Sequence, residues 1–156
     1  MNYGFIKVAS AIPSVRVGDV KYNTAQIENL IAQAEGQGVE VIVFPELSVT
    51  GYSCQDLFRQ EILLESAETA VMVLLDFTRK LNIIAVVGVP VVAGDLLLNC
   101  AVVIQQGEIL GIVPKTYLPN YNEFYERRWF ASSLDLCYEE IRFAGHKMVM
   151  PANSPI

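Results

Sequence analysis

The residues best suited to chemistry lie in four short stretches of this 156-residue chain. In Phe44-Pro45-Glu46-Leu47, a carboxylate stands just past a β-branched run. Open α/β sheets place their ligands beyond such strand ends. Among apolar neighbours, burial would make Glu46 a usable general base. In Val113-Pro114-Lys115-Thr116-Tyr117, a lysine follows another apolar run. An ammonium held there can stabilise an oxyanion by charge and hydrogen bonding. In Tyr121-Asn122-Glu123-Phe124-Tyr125-Glu126-Arg127-Arg128, two acids and two arginines lie among aromatics. This pattern fits a salt-bridged helix face, or a second site carboxylate at Glu123 or Glu126. In Thr50-Gly51-Tyr52-Ser53, Gly51 permits a tight turn and Tyr52 could close over a substrate. Taken singly, each stretch is explained as well by an ordinary loop: Glu46 as a capping acid, Lys115 as a solvated strand-end lysine.

Amide hydrolysis near neutral pH needs a nucleophile, a base to activate it, and a cation or donor for the tetrahedral oxyanion. Glu46 and Lys115 suit the second and third roles. The nucleophile is harder to find. Cys100 sits inside an apolar run and reads as an inert core thiol. Cys54 lies near the Glu46 loop and Cys137 in an acidic stretch, neither with an evident partner. His146, the single histidine, forms no evident triad. No metal-ligand spacing, phosphate loop or dinucleotide fingerprint occurs.

The elements that must position these residues can be read from periodicity. Tyr3 to Ile12 predicts a first strand bounded by Pro13. Asp19 to Gln37 predicts a helix, with Ile27, Leu30, Ile31 and Ala34 at helical spacing and Gly36 and Gly38 as its stop. Val39 to Phe44 predicts a buried strand, completing a β-α-β unit and an α/β fold class. Glu61 to Leu81 predicts a second helix. Ile83 to Val92 reads as a strand covered on both faces. Turns at Ala93-Gly94-Asp95 and Gln106-Gly107 predict return strands at Leu97 to Gln105 and Ile109 to Val113, hence a mixed sheet. Asn122 to Phe130 predicts a short helix or ordered loop, Glu140 to Met150 one further strand, and Pro151 to Ile156 a turn-type tail.

Composition narrows the function classes. Apolar residues make up 53% of the chain and charged residues 18%, which excludes a disordered segment. The net charge of −6, with no basic run beyond Arg127-Arg128, argues against nucleic-acid binding. Ile83 to Ala93, the most apolar window, is shorter than the ~20 residues of a membrane helix and carries Gly88 and Pro90. Three cysteines without framework spacing suit free thiols in a reducing cytoplasm.

Together, Phe44-Pro45-Glu46-Leu47, Thr50-Gly51-Tyr52 and Pro114-Lys115, in this order of strands and helices, resemble the nitrilase superfamily of carbon-nitrogen hydrolases. The resemblance runs from the first strand to about Met150. Thr50 to Phe58 and the long segment Lys115 to Phe130 look like one branch, the amidase domain of glutamine-dependent NAD synthetases. The resemblance implies a Glu-Lys-Cys triad, with Glu46 as general base and Lys115 as oxyanion stabiliser. It further implies that Tyr52, Tyr121, Glu123 and Glu126 help form a glutamine pocket. The family's nucleophile stands in a segment of the type Glu-Ile-Cys-Glu-Asp, and none of Cys54, Cys100 or Cys137 has that context. Residues 1–156 are accordingly expected to be the N-terminal part of a nitrilase-like α-β-β-α sandwich, incomplete here and inactive alone, with uncovered apolar sheet surface. The reaction implied is hydrolysis of the glutamine side-chain amide, its ammonia feeding ATP-dependent amidation of deamido-NAD. ATP and magnesium would belong to a synthetase domain outside these residues, no cofactor to this segment, and the full-length protein would be a homo-oligomer. Two other readings remain: a stand-alone amidase of the same superfamily, and a non-catalytic interaction module.

Overall fold

A computed structural model describes residues 4–136 and 139–150. Its centre is a five-stranded mixed sheet of strands β1 (Val8–Ser10), β2 (Val41–Val43), β3 (Ile84–Ala93), β4 (Leu96–Gln105) and β5 (Glu108–Pro114), in that spatial order. The first three strands are parallel and the last three antiparallel. The parallel part needs crossovers, supplied by helices α1 (Val20–Gly36) and α2 (Glu61–Thr78). The antiparallel part needs only tight turns, and Gln106-Gly107 supplies one with positive φ at both positions. The mixed α/β class expected from the sequence is the one observed.

The helices pack on each other, and α2 packs on β3 and β4. Ile27, Ile31, Leu74 and Val71 fill one core with Ile42, Ala85, Val87, Val102 and Ile104. Alternation along the strands sends Val8, Val43 and Val113 to the opposite face, where they are 63%, 42% and 38% exposed. The apolar sheet surface expected to lie uncovered in this chain is therefore present.

Asp19 caps α1 by accepting from the Tyr22 N–H. The fully buried Asn23 donates to the Arg16 and Val49 carbonyls and so ties α1 to the loop after β2. Pro90 lies inside β3. The carbonyls of Val86 and Gly88, four and two residues earlier, point toward the β2 side, where β2 has already ended. The missing proline N–H therefore costs no ladder bond.

Two elements differ from their predicted form. Only Val8–Ser10 of the first strand joins the ladder, because its partner β2 is equally short. Glu140 to Met150 is not one strand but a hairpin, β6 (Glu139–Phe143) and β7 (His146–Met150). Its turn is Ala144-Gly145, with φ of 49° and 80°. Gly145 carries the signal for it, since glycine opens the left-handed conformation that reverses the chain. Cys137 and the tail from Pro151 to Ile156 lie outside the described residues.

Candidate active site

Beyond β2 the chain folds back over β3. The Phe44 N–H donates to the Val86 carbonyl at 2.9 Å, and the Val49 N–H to that of Gly88 at 3.3 Å. Between them Leu47 is fully buried at a φ of 51°. A branched residue seldom adopts that conformation unaided, so packing holds the turn in place. Gly88 makes the fold-back possible. A Cβ on it would stand 2.3 Å from the Leu47 nitrogen and 2.4 Å from the Pro45 carbonyl oxygen.

Leu47 to Thr50 turn inward and are buried, leaving Glu46 on the outer side of the turn. The expectation of a buried Glu46 is thereby corrected: its side chain is 51% exposed. It borders a cavity of about 480 Å³ whose wall also includes Val86, Asn99 and Lys115.

Lys115 reaches the same place from the end of β5. Its N–H donates to the Asn99 carbonyl at 2.8 Å, and its carbonyl accepts from the Ser133 N–H at 3.0 Å. With its backbone gripped on both sides, the ammonium donates to Glu46 Oε2 at 2.8 Å and to Glu126 Oε1 at 3.0 Å. Burial alone would lower the Lys115 pKa. The hydrogen bonds and charges of Glu46 and Glu126 outweigh it, and the net shift is upward. The result is a cation that stays protonated, fixed between two carboxylates.

Glu126 opens a short 3-10 turn, Glu126–Arg128, and is only 2% exposed. Its Oε1 also accepts from the Tyr52 hydroxyl at 2.6 Å, while Oε2 is buried without a partner among the described residues. Burial first, then this hydrogen bond and the charges of Glu126 and Glu46, push the Tyr52 hydroxyl well above the usual phenol range. Tyr52 therefore stays a donor.

The sequence left Glu123 and Glu126 open, and it is Glu126 that joins this cluster. Glu123 is exposed, and Tyr121 is 65% exposed with its ring edge-on to Phe124 at 5.8 Å. Among the described residues neither hydrogen-bonds to the Glu46-Lys115-Glu126 group.

Two further residues shape the site without having been singled out. Asn99 lies in β4 between Leu98 and Cys100 and donates from Nδ2 to Glu46 Oε2 at 3.1 Å. A lone amide inside an apolar strand was the signal for it. Asp56, on the kinked 3-10 segment Tyr52–Arg59, accepts from Arg128 Nε and Nη2 at 3.0 and 3.1 Å and from Trp129 Nε1 at 3.0 Å. It ties the Tyr52 segment to the Glu126 turn. The hydrogen bonds from Arg128 and Trp129 hold its carboxyl down at about 2.

Neither described cysteine is an activated thiol. Burial pushes both Cys54 and Cys100 upward, and Cys54 spends its proton on the Thr50 carbonyl at 3.1 Å.

The family model for carbon-nitrogen hydrolases matches residues 7–152. This chain belongs to the carbon-nitrogen hydrolase family. Over 134 residues it is 40% identical to a glutamine-dependent NAD(+) synthetase of Mycobacterium leprae, covering 86% of this chain and 20% of the relative. A crystal structure of a glutamine-dependent NAD(+) synthetase from Cytophaga hutchinsonii superposes with a TM-score of 0.80 at 27% identity. That match covers 92% of this chain and 24% of the other. An amidase from Nesterenkonia shares the fold alone, at a TM-score of 0.73 and 21% identity over 92% of this chain and 54% of its own. The chain thus spans about a fifth of the length of the curated relatives it matches. No helix among the described residues is long and apolar enough to cross a membrane.

Proposed function

We propose that this segment supplies the base and the oxyanion-holding cation of a glutaminase whose ammonia is used to amidate deamido-NAD. One observation carries the proposal. A glutamate and a lysine that border a cavity meet a second, buried glutamate through contacts of 3.0 Å or less, in a chain 40% identical to a glutamine-dependent NAD(+) synthetase.

Glu46 Oε2 is occupied by Lys115 and Asn99, which leaves Oε1 to move protons. It takes the proton from a cysteine thiol as the sulfur attacks the amide carbon of glutamine. Lys115 offsets the charge that forms on the carbonyl oxygen. Glu46 returns the proton to the leaving nitrogen, ammonia departs, and a thioester remains. Water activated by the same carboxylate then hydrolyses the thioester to glutamate. Tyr52 and Glu126 line the glutamine pocket, and Tyr121 and Glu123 stand further out as pocket residues.

The nucleophile is assigned to a family cysteine in a Glu-Ile-Cys-Glu-Asp type of segment, not to Cys54, Cys100 or Cys137. On this reading residues 1–156 contribute the base and the cation but not the nucleophile. ATP and magnesium belong to the second reaction, in a synthetase domain, and no residue of this segment is assigned to them. Partners other than glutamine are not invoked, and a reducing cytoplasm and a homo-oligomer suit the full enzyme.

The test is twofold. The protein as its gene encodes it should release ammonia from glutamine in preference to simple aliphatic amides, and Glu46→Gln should lower release roughly 100- to 10,000-fold. The 156-residue chain, treated with a diazo-ketone analogue of glutamine, should show no mass adduct. A stoichiometric adduct blocked by glutamine would make one of its own cysteines the nucleophile and overturn that assignment.

A further inference from the structure

We infer that Asn99 is a positioning residue for both members of the catalytic pair. It would select which oxygen of Glu46 acts as the base and set the height at which Lys115 leaves its strand. The inference rests on the glutaminase reading given above.

Three observations point to it. First, Asn99 is only 3% exposed, in a strand whose neighbours Leu98 and Cys100 are apolar. A buried amide is costly unless its donors are used, and this one is spent on Glu46 Oε2 at 3.1 Å. Second, the Asn99 carbonyl receives the Lys115 N–H at 2.8 Å. A single residue thus grips the base by its side chain and the cation by its backbone.

Third, the pattern of contacts on Glu46 is asymmetric. Oε2 takes both Lys115 and Asn99, whereas among the described residues Oε1 takes no hydrogen bond. Lys115 by itself cannot impose this asymmetry. Its ammonium sits at the end of a flexible stem and is shared with Glu126. The planar Asn99 amide, fixed on a ten-residue strand, can. It points one lone pair of Glu46 back into the protein and so aims the other oxygen at the cavity. Without that anchor the half-exposed carboxylate would be held by the flexible Lys115 alone and could offer either oxygen.

Asn99 borders the cavity, but its amide is spent on Glu46 and it is assigned no bond to the reacting atoms, so its loss should strike turnover rather than affinity. Asn99→Ala should lower kcat roughly 10- to 100-fold, the scale of a lost hydrogen bond to a charged group or a small misplacement of a base, and leave KM within about twofold. Asn99→Asp keeps the shape and the backbone contact but removes the donor, and should lose at least as much. In a Glu46→Gln background, Asn99→Ala should cost nothing more, because both changes disable the same group.

A merely structural role would give the reverse pattern: a lower melting temperature, full kcat in the folded fraction, and additive losses in the double variant. Wild-type kcat in Asn99→Asp would also overturn the inference.

A second readout does not need turnover. In 15N-labelled protein, one side-chain amide proton of Asn99 should exchange slowly with solvent and lose its protection in Glu46→Ala. Fast exchange in the wild type, or protection indifferent to Glu46, refutes the contact. If the wild type releases no ammonia, the glutaminase reading fails while this measurement still decides the place of Asn99.

Discussion

Replacing Gly88 with alanine tests how the base is held. The Cβ it adds would lie 2.3 Å from the Leu47 nitrogen and 2.4 Å from the Pro45 carbonyl oxygen. Ordinary contacts begin at 3.4 Å, so the backbone on either side of Glu46 must retreat by 3.4 − 2.3, or about 1.1 Å. Both clashing atoms belong to backbone, and no side chain can swing away to absorb the strain. Overpacking of this kind costs about 1–3 kcal/mol of stability. Its effect on chemistry is larger, because a misplacement near 1 Å lowers rates on the order of 100-fold. Gly88→Ala should therefore fold, melt a few degrees low, and lose about two orders of magnitude in glutamine turnover. Gly111→Ala is the control. Gly111 also lies in a strand of the same sheet, but its added Cβ meets nothing within 4 Å. It should keep its rate and its melting temperature. Ammonia release and a thermal melt on both variants suffice. Wild-type kcat in Gly88→Ala would show that the Glu46 turn adjusts freely, and the case for a rigidly placed base would collapse.

Lys115→Met removes the cation beside a glutamate that is only 2% exposed. Leaving that charge unpaired should cost about 3–5 kcal/mol and lower the melting temperature by on the order of 10 °C. Adding Glu126→Gln should recover most of the loss, and a double variant no more stable than the single one would mean that Glu126 is not the stranded charge. Asp56 offers a test in acid. Its carboxyl titrates at about 2 in the fold against an ordinary 3.8, so its tie to Arg128 and Trp129 is complete above about pH 3.8 and lost as the pH falls toward 2. Trp129, the single tryptophan, should report this as an emission change in that window, missing in Asp56→Asn. The same change in Asp56→Asn would assign it to general acid unfolding instead.

Local periodicity and strand-end placement make a large part of this protein legible in its sequence. The order of strands and helices, the mixed sheet, and Glu46 and Lys115 as residues just past apolar strands can all be read there, because burial of one face writes itself into spacing along the chain. The β6–β7 hairpin is written there too, in Gly145, although the apolar pattern around it reads as one continuous strand. Whatever depends on meetings between distant segments is settled by the fold alone. Glu123 and Glu126 are chemically alike and three residues apart. Only the reach of Tyr52, 74 residues upstream, and of Lys115 to the buried carboxylate separates them. Asn99 gains its meaning from Glu46, 53 residues away, and Gly88 from the backbone that lies on it. The exposure of Glu46 likewise follows from its neighbours turning inward, which no residue-by-residue hydropathy encodes. Periodicity tells which side of an element is buried, but the contacts that give a carboxylate its role are made through space.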